Sequence, residues 1–344
     1  MTVTPEELAR LSKIKTWQEV GATYGMTGEA ARSRVKRWRD KGGKIVEDLS
    51  DLIEELPDTF DVEEALEIAD KLQAILNKID PVITSIELQM PAEPLAILFT
   101  SCSHIGGRYT FHKGLREIFD EVLKTEKLYL GLLGDEIEGF LAGFPDATAV
   151  TDQVLPLKVQ MKIQSWYLKQ WSDAGKCLFG CHSQHGGKWF EQKVGLNPIK
   201  GEYIRTKTPF FDGQGLVKLK VGDEQYIIIV GHSFKGSSIY NLNHPQRRVT
   251  LFDYPSADVA VMGDKHSYSV QHSADRVNEF YEGLRPSPYV WHVQVGTAKI
   301  GPDPYTIRGW QRGWFEWPVL VFYPDKHCIK QAYELGDLEY LLGH

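Results

Sequence analysis

Hydrophobic and polar positions follow three different patterns along the 344-residue chain. Residues 1–43 are typical of short helices joined by turns. Residues 44–93 carry apolar side chains roughly three and four positions apart in an acidic background, which predicts a helical linker. Residues 94–344 alternate short apolar runs with longer amphipathic stretches. The apolar runs have the length of buried strands and lie at residues 95–100, 128–133, 177–179, 226–230, 259–262, 290–295 and 319–322.

Amphipathic stretches at residues 109–124 and 153–173 separate the first three apolar runs. Their apolar side chains recur at helical spacing, as Leu157, Met161 and Leu168 illustrate. The order strand, helix, strand, helix, strand is typical of a sheet covered by helices. After residue 216 the pattern consists mostly of strands and turns. The sequence therefore predicts an α/β domain with a mixed sheet over residues 94–344.

Composition narrows the class of protein. The hydrophobic fraction of 42% and the charged fraction of 25% are ordinary for a soluble globular protein. No apolar run approaches the length of about 20 residues that spans a bilayer, and the N-terminus lacks the basic and apolar segments of a signal peptide. We therefore expect a cytoplasmic protein with no membrane partner. The four cysteines are too few for a disulfide scaffold, and free thiols are expected at Cys102, Cys177, Cys181 and Cys328.

Charge is distributed unevenly along the chain. The net charge is −7, yet residues 28–44 carry seven Lys and Arg against Glu29 and Asp40, and the sign reverses over residues 47–67. A local basic surface within an acidic chain indicates modules with different partners.

The first 43 residues have the pattern of a small all-α helix-turn-helix-like domain. A first helix ends at Tyr24, a glycine turn follows, and Thr27 can cap the second helix. The predicted core is Val20, Tyr24, Ala31, Val35 and Trp38. The outer face of the second helix would present Arg32, Arg34, Lys36, Arg37 and Arg39. Such a face suits the phosphates and base edges of DNA, and a solvated or protein-binding face is the alternative.

Polar side chains follow five of the apolar runs, where each predicted strand ends. Ligands of open α/β sheets bind beyond the carboxyl ends of the strands. A single histidine there is most often structural, but five successive strand ends with such groups indicate a metal or proton-transfer site. Glycine precedes the polar residues at four of them and allows the chain to turn tightly. These segments are residues 101–104, 134–138, 180–183, 231–232 and 263–266.

The order, strand context and spacing of these segments resemble the calcineurin-like metallophosphoesterase superfamily over residues 95–323. The pattern of that family is Asp-x-His, Gly-Asp-x-x-Asp, Gly-Asn-His, a lone His and Gly-His-x-His. The residues that match it are His104, Asp135, His182, His232 and His266. The resemblance implies a two-sheet sandwich flanked by helices, and hydrolysis of phosphate esters by a metal-bridged hydroxide.

The resemblance also implies a role for each residue. One divalent ion would be held by Cys102, His104, Asp135 and His266. A second would be held by Asp135, Cys181, His232 and Asp264. His182 would act as the general acid that protonates the leaving oxygen. Glu138, at the second acidic position of the family, would orient His182.

Three positions depart from the family pattern. Cys102 replaces Asp, Cys181 replaces Asn and Asp264 replaces His. Each of the three can still bind metal, and ionised thiols would make the ligand set more negative than usual. Because thiolates favour softer ions, zinc or iron is expected, with manganese as the alternative. The opposing hypothesis is a degenerate fold that has lost its metals.

Cations near the strand ends are candidates for binding the substrate phosphate. Arg108, Lys188 and Lys235 lie within a few residues of the proposed ligands, and Tyr305 and Arg308 could contact a nucleotide. Together with the basic helix they favour a metal-dependent phosphodiesterase, specifically a nuclease acting on DNA. The alternatives are a phosphodiesterase for small or cyclic nucleotides and a non-catalytic DNA-binding or assembly factor. The acidic segment is either a spacer or a helix through which a homodimer forms.

Overall fold

The computed structural model describes residues 3–12, 15–41, 66–71, 73–74, 82–141, 152–238, 240–275, 277–302, 313 and 315–343. The chain divides into two units, Met1–Asp80 and Pro81–His344. No helix in the described part of the chain is long and apolar enough to cross a bilayer. Most of the predicted linker at residues 44–93 and the segment with Tyr305 and Arg308 lie outside the described residues.

The described part of the first unit begins with three short helices, α1 (Pro5–Leu11), α2 (Trp17–Thr23) and α3 (Gly28–Arg39), and residues 66–71 and 73–74 are also helical. Thr27 caps α3, as expected, because its hydroxyl accepts a hydrogen bond from the amide of Ala30 at 3.2 Å. Tyr24 was expected in the core, but it is 37% exposed, and Leu8 and Ala9 of α1 fill the space beside Val20 instead. The assignment of these helices to a helix-turn-helix fold stays a prediction.

The second unit is built on a mixed sheet of eleven strands among the described residues. The order is β11-β10-β2-β3-β4-β5-β6-β7-β9-β8, and β1 pairs with β5. The strands are β1 (Ile83–Met90), β2 (Leu95–Thr100), β3 (Leu128–Leu132), β4 (Cys177–Cys181), β5 (Phe210–Val221), β6 (Glu224–Gly231), β7 (Val259–Met262), β8 (Ser269–Ser273), β9 (Val290–Gln294), β10 (Val319–Phe322) and β11 (Ile329–Ala332).

Seven helices accompany these strands in the described residues. They are α4 (His112–Lys124), α5 (Leu157–Asp173), α6 (Trp189–Val194), α7 (Pro198–Thr206), α8 (His244–Arg248), α9 (Val277–Tyr281) and α10 (Asp337–Leu341). Two π-helical turns, Gln184–Lys188 and Val249–Asp253, lie beside α6 and α8. The mixed α/β fold expected from the alternation of apolar runs and helical stretches is therefore confirmed.

Strand β5 changes partners along its length. Phe210 and Phe211 pair with β4 in parallel, whereas residues 215–221 pair with β6 in the antiparallel sense. The sheet also curls, so that the strands at the two ends of its order, β11 and β8, approach each other. Gln331 of β11 donates a hydrogen bond at 2.7 Å to the hydroxyl of Tyr268, which lies just before β8. The ladder is one continuous sheet, and its division into a two-sheet sandwich stays a prediction.

The curled sheet encloses one large core. Alternate residues of β5, β6 and β7, such as Val217, Ile228 and Val261, share this core with the fully buried strands β2 and β10. The opposite face of β6 and β7 packs on a smaller cluster around Phe234 and Val249. Strand β7 is apolar at every position because both of its faces are covered, one by the large core and the other by the smaller cluster. The apolar run at residues 259–262 therefore predicts this short strand correctly.

Strand β1 differs from the sequence prediction. Residues 83–90 were assigned to the helical linker that ends at residue 93, but they form a strand paired with β5. Ile86, Leu88 and Met90 alternate along it and pack against the core. This two-residue period is the signal that was missed. The second unit consequently begins at Pro81 and not at residue 94.

Candidate metal centre

Side chains that can bind metal converge beyond the carboxyl ends of β2, β3, β6 and β7. Three groups of such residues have donor atoms that all lie within 4.8 Å of one another. The groups are Cys102, His104 and His266; Cys102, Asp135 and His232; and His104, Asp135 and His185. Because Cys102, His104 and Asp135 each belong to two groups, the three groups form one continuous cluster.

The backbone at this cluster is unusual. Six non-glycine residues in the described part of the chain have positive φ angles, and five of them are predicted metal ligands. The left-handed conformation is sparsely populated for residues with a Cβ atom and costs about 1–2 kcal/mol each. The sixth residue, Lys207, ends helix α7. The five at the cluster are Cys102, His104, Asp135, Asp264 and His266, with φ between 45° and 66°.

Asp135 lies at the centre of the cluster. Its Oδ2 is 3.2 Å from Nε2 of His232, and its Oδ1 accepts a hydrogen bond from the amide of His185 at 2.8 Å. The hydroxyl of Ser183 accepts a hydrogen bond from the amide of Asp135 at 2.8 Å and so holds its backbone. Burial opposes ionisation of the Asp135 carboxyl, but the neighbouring His232 and His185 outweigh it and lower its pKa well below the usual value. Asp135 is therefore ionised at neutral pH.

His232 provides a test of whether the cluster fits a cation. Its Nδ1 donates a hydrogen bond to the carbonyl of Leu133 at 2.7 Å, which leaves Nε2 as the ligand nitrogen. That Nε2 is buried and has no hydrogen-bond partner among the described residues, although two carboxylates lie 3.2 and 3.8 Å away. Burial opposes a charge on His232, but Asp135 raises its pKa to about 9. A proton or a metal ion is thus required there, and the donor set fits a divalent ion.

Glu138 holds His104 and does not orient His182 as expected. One carboxylate oxygen lies 3.0 Å from Nδ1 of His104, and the other lies 2.7 Å from Nζ of Lys299. All three side chains are almost completely buried. A carboxylate on Nδ1 sets the tautomer in which Nε2 is free for a metal. This Nε2 faces Nε2 of His266 at 3.1 Å, so two imidazole nitrogens point at one position.

His185 is the member of the cluster that the sequence analysis did not identify. Its Nδ1 hydrogen-bonds to the carbonyl of Glu138, and its Nε2 lies 3.9 Å from Oδ2 of Asp135. Its ring packs on those of His104 and Trp189. Burial, more than any charge, lowers its pKa to about 4. The second histidine within Gly180–Lys188, followed by two glycines, was a signal that could have revealed it.

Cys102 is fully buried at the start of the cluster. The hydroxyl of Ser101 lies 3.3 Å from its sulfur. Burial, followed by the charge of Asp135, raises the pKa of this thiol well above its usual value. Without a cation nearby the sulfur is therefore a neutral thiol, and metal binding has to displace its proton.

Cys181 lies apart from the donor groups. The expected strand ended at residue 179, but β4 continues through Cys181, which pairs with Phe211. Side chains alternate along a strand, so Cys181 follows Phe179 into the hydrophobic core. Burial and the nearby Glu136 raise the pKa of its thiol well above the usual value. Cys181 is thus not part of the three donor groups found among the described residues.

His182 and Asp264 lie at the rim of the cluster. Nε2 of His182 is 3.0 Å from a carboxylate oxygen of Glu191, which replaces Glu138 as its acidic partner. Asn197 donates to the other oxygen of Glu191 at 3.1 Å. Asp264 is 3.8 Å from His232 and 2.9 Å from Nζ of Lys265. Its side chain is 18% exposed, whereas Cys102, His104 and Asp135 are buried.

The predicted substrate and DNA contacts are placed at the surface. Arg108, Lys188 and Lys235 are all exposed, with Arg108 stacked over the ring of Tyr109. In the first unit, Ala31 and Val35 turn into the small core, so the basic residues of α3 face outward. Four of them, Arg32, Lys36, Arg37 and Arg39, are exposed, and Arg34 is half-buried.

Sequence comparisons find no matching protein-family model and no significant match among curated proteins. Solved structures do resemble the chain. Vacuolar protein sorting 29 from Cryptosporidium parvum is 12% identical, with a TM-score of 0.34, and the match covers 70% of this chain and all of that one. A putative 5'-nucleotidase from Staphylococcus aureus is 10% identical, with a TM-score of 0.40, over 70% of this chain and 53% of that one.

A third similar structure is the calcineurin-like phosphoesterase YfkN from Bacillus subtilis. It is 10% identical to this chain, with a TM-score of 0.34, and the match covers 70% of this chain and 91% of that one.

Proposed function

We propose that this chain is a metal-dependent phosphoesterase. The observation that carries the proposal is the placement of backbone strain. Six non-glycine residues in the described chain have positive φ. Five of them are among the metal ligands predicted from the sequence. Their combined conformational cost is on the order of 5 kcal/mol or more. A scaffold that had lost its metals would gain stability by relaxing these positions, so their strain supports a retained site.

The cluster favours a specific ligand set. Cys102, His104, His266, Asp135 and His232 would hold the metals, with Asp135 shared between them. His185 is an additional candidate ligand, and Asp264 would complete the set from the rim. When bound, divalent ions supply a hydroxide near neutral pH and neutralise charge on the phosphate. Since a buried sulfur belongs to the set, zinc or iron is expected in preference to manganese.

A proton has to reach the leaving oxygen as the phosphorus–oxygen bond breaks. Two imidazoles are candidates for this step, and their surroundings separate them. His185 is buried, and its lowered pKa keeps it neutral at pH 7, so it has no proton to give from Nε2. His182 is 18% exposed, and its Nε2 lies 3.0 Å from a carboxylate oxygen of Glu191, which can hold the ring in one orientation. His182 is therefore the proposed general acid, with Glu191 as the residue that orients it.

The proposed substrate is a phosphodiester of DNA. The support comes from α3, whose core-facing residues leave a row of arginines and lysines in solvent. Such a helix matches the phosphate backbone, and its binding should weaken steeply with salt. A phosphodiesterase for small nucleotides is the second candidate, and a DNA-binding assembly factor is the third.

Metal content and diester hydrolysis test the proposal together. The purified full chain is loaded with Zn²⁺, Fe²⁺ or Mn²⁺, and bound metal is measured by elemental analysis. Bis-p-nitrophenyl phosphate and labelled single- and double-stranded DNA are then supplied as substrates. His182→Ala should reduce hydrolysis without reducing metal content, and the exposed His244→Gln serves as the matched control.

Each alternative predicts a different outcome. Cleavage of the small diester without cleavage of DNA would favour the nucleotide phosphodiesterase. Neither bound metal nor cleavage with any ion would contradict the proposal. Loss of DNA cleavage, but not of small-diester cleavage, on changing Arg32 and Lys36 to Ala would tie the basic helix to the substrate.

A further inference from the structure

A cavity of about 450 Å³ lies where the two edges of the curled sheet meet. Its lining includes His272 of β8 and Ile329 of β11, the strands at opposite ends of the sheet order. Three aromatic side chains, Phe280, Tyr289 and Trp291, form much of its wall. This volume and this largely aromatic lining lie within the range of small-molecule sites.

The floor of the cavity is polar, and its charged side chains are paired with one another. His327 lies between two carboxylates, 3.1 Å from Glu224 and 3.1 Å from Asp258. Asp258 also accepts hydrogen bonds from Arg285 at 3.1 Å and from the amide of Ile227 at 2.8 Å. His327 and Arg285 are thus each paired with a carboxylate. Such a floor attracts neither anions nor cations strongly, which favours an uncharged ligand.

The wall, by contrast, carries polar side chains that are open to solvent. His272 and Tyr289 are exposed and Trp291 is half-buried, and all three line the cavity. His272 is held between the other two rings by edge contacts, with centroids 5.4 Å and 4.9 Å away. Tyr289 is 51% exposed. Flat apolar faces with donors and acceptors at their edges are suited to a planar heterocycle.

We propose that this cavity is a binding site for a nucleobase, stacked on Tyr289 and Trp291. The choice of base over other flat molecules rests on the proposed function, because a substrate of DNA brings unpaired bases to the protein surface. Base–aromatic stacking needs no sequence preference, because every base has a flat face. The site would therefore hold a single-stranded region of the substrate away from the scissile bond.

The cavity is separate from the metal cluster. Asp258 precedes β7 and Tyr289 precedes β9, so the cavity lies at the amino ends of these strands. Asp264 and His266 follow the carboxyl end of β7. Strand β7 has four residues, or roughly 13 Å at the usual rise. Base binding can consequently be altered without touching a metal ligand.

Nucleoside binding tests the proposal without any need for catalysis. Adenosine and thymidine, which lack a phosphate for the metal cluster, are titrated into the full chain and followed by saturation-transfer NMR. Tyr289→Ala should weaken binding roughly tenfold, and Trp291→Phe, which keeps a ring, should weaken it less. Trp166→Ala, which removes a 55% exposed tryptophan from α5, is the matched control and should leave binding unchanged.

The outcomes also separate this proposal from the proposed function. Tyr289→Ala should raise the KM for single-stranded DNA and leave hydrolysis of bis-p-nitrophenyl phosphate unaltered. Nucleoside binding in a chain without phosphoesterase activity would uphold the cavity and reject the function. Absence of nucleoside binding, or equal binding by Tyr289→Ala, would overturn the proposal.

Discussion

The two ends of strand β7 carry similar residues, but they differ in backbone strain and in how completely their polar groups are paired. At its carboxyl end, histidines and carboxylates sit on strained backbone, and the buried Nε2 of His232 lacks a hydrogen-bond partner. At its amino end, His327 and Asp258 adopt ordinary backbone, and every charge is matched. Unsatisfied, strained groups lower stability and persist where function requires them. The carboxyl end therefore carries the proposed chemistry, whereas His327 and Asp258 at the amino end stabilise the fold beneath the cavity.

Replacing Asp135, which lies at the centre of the metal-ligand cluster, should have the largest effect. Asp135→Asn removes the negative charge shared by two of the three donor groups. Metal content should fall, and hydrolysis of bis-p-nitrophenyl phosphate should drop on the order of 10³-fold or more. Elemental analysis and steady-state rates measure both. A variant that retained metal and activity would contradict the assignment of chemistry to this cluster.

Glu138 should give the next largest effect, because it acts on metal through His104. Glu138→Gln keeps the shape but no longer stabilises the required tautomer of His104. Metal affinity should weaken about 10- to 100-fold, as measured by competition with a chromogenic chelator. Glu191→Gln, which changes the partner of His182, is the control: it should slow hydrolysis and leave metal affinity unchanged.

Replacing His327 tests the amino end of β7, because the charge of His327 makes the free energy of unfolding depend on pH. Burial opposes its charge, but the hydrogen bonds and charge of Asp258 and then Glu224 raise its pKa. A raised folded-state pKa stabilises the protein below the unfolded value near 6.5, and this contribution is lost as pH rises through the folded value. His327→Gln should therefore cost roughly 1–3 kcal/mol at pH 6 and less at pH 9.

Urea unfolding of both proteins at the two pH values measures this difference, and metal content should not change. An equal loss of stability at pH 6 and pH 9 would show that packing, and not charge, accounts for the role of His327.

The smallest expected effect concerns backbone strain itself. Asp264→Gly and Lys207→Gly each replace a residue with positive φ by glycine, which should stabilise the metal-free protein by about 0.5–1 kcal/mol. Only Asp264→Gly should also weaken metal binding. Thermal unfolding with and without excess Zn²⁺ distinguishes the two, and destabilisation by both changes would argue against strain at these positions.

Much of the fold could be predicted because buried strands leave continuous apolar runs. Residues 95–100, 259–262 and 319–322 form β2, β7 and β10 with the expected bounds. Strand β1 was missed because its two-residue period is short and follows an acidic helical pattern. Strand β5 was missed because glycines interrupt its apolar residues. Half-buried and bent strands leave weak local signals.

The sequence by itself determined which strand ends carry metal-binding groups, since a glycine and a polar residue after an apolar run are local features. Only the tertiary structure decided which of those groups face one another. It joined His104 to Glu138 and Lys299, brought His185 into the cluster, and left Cys181 in the core. The reason is physical: the pleat of β4 and the left-handed turns at Cys102 and Asp135 set side-chain directions, and packing alone brings distant segments within bonding distance.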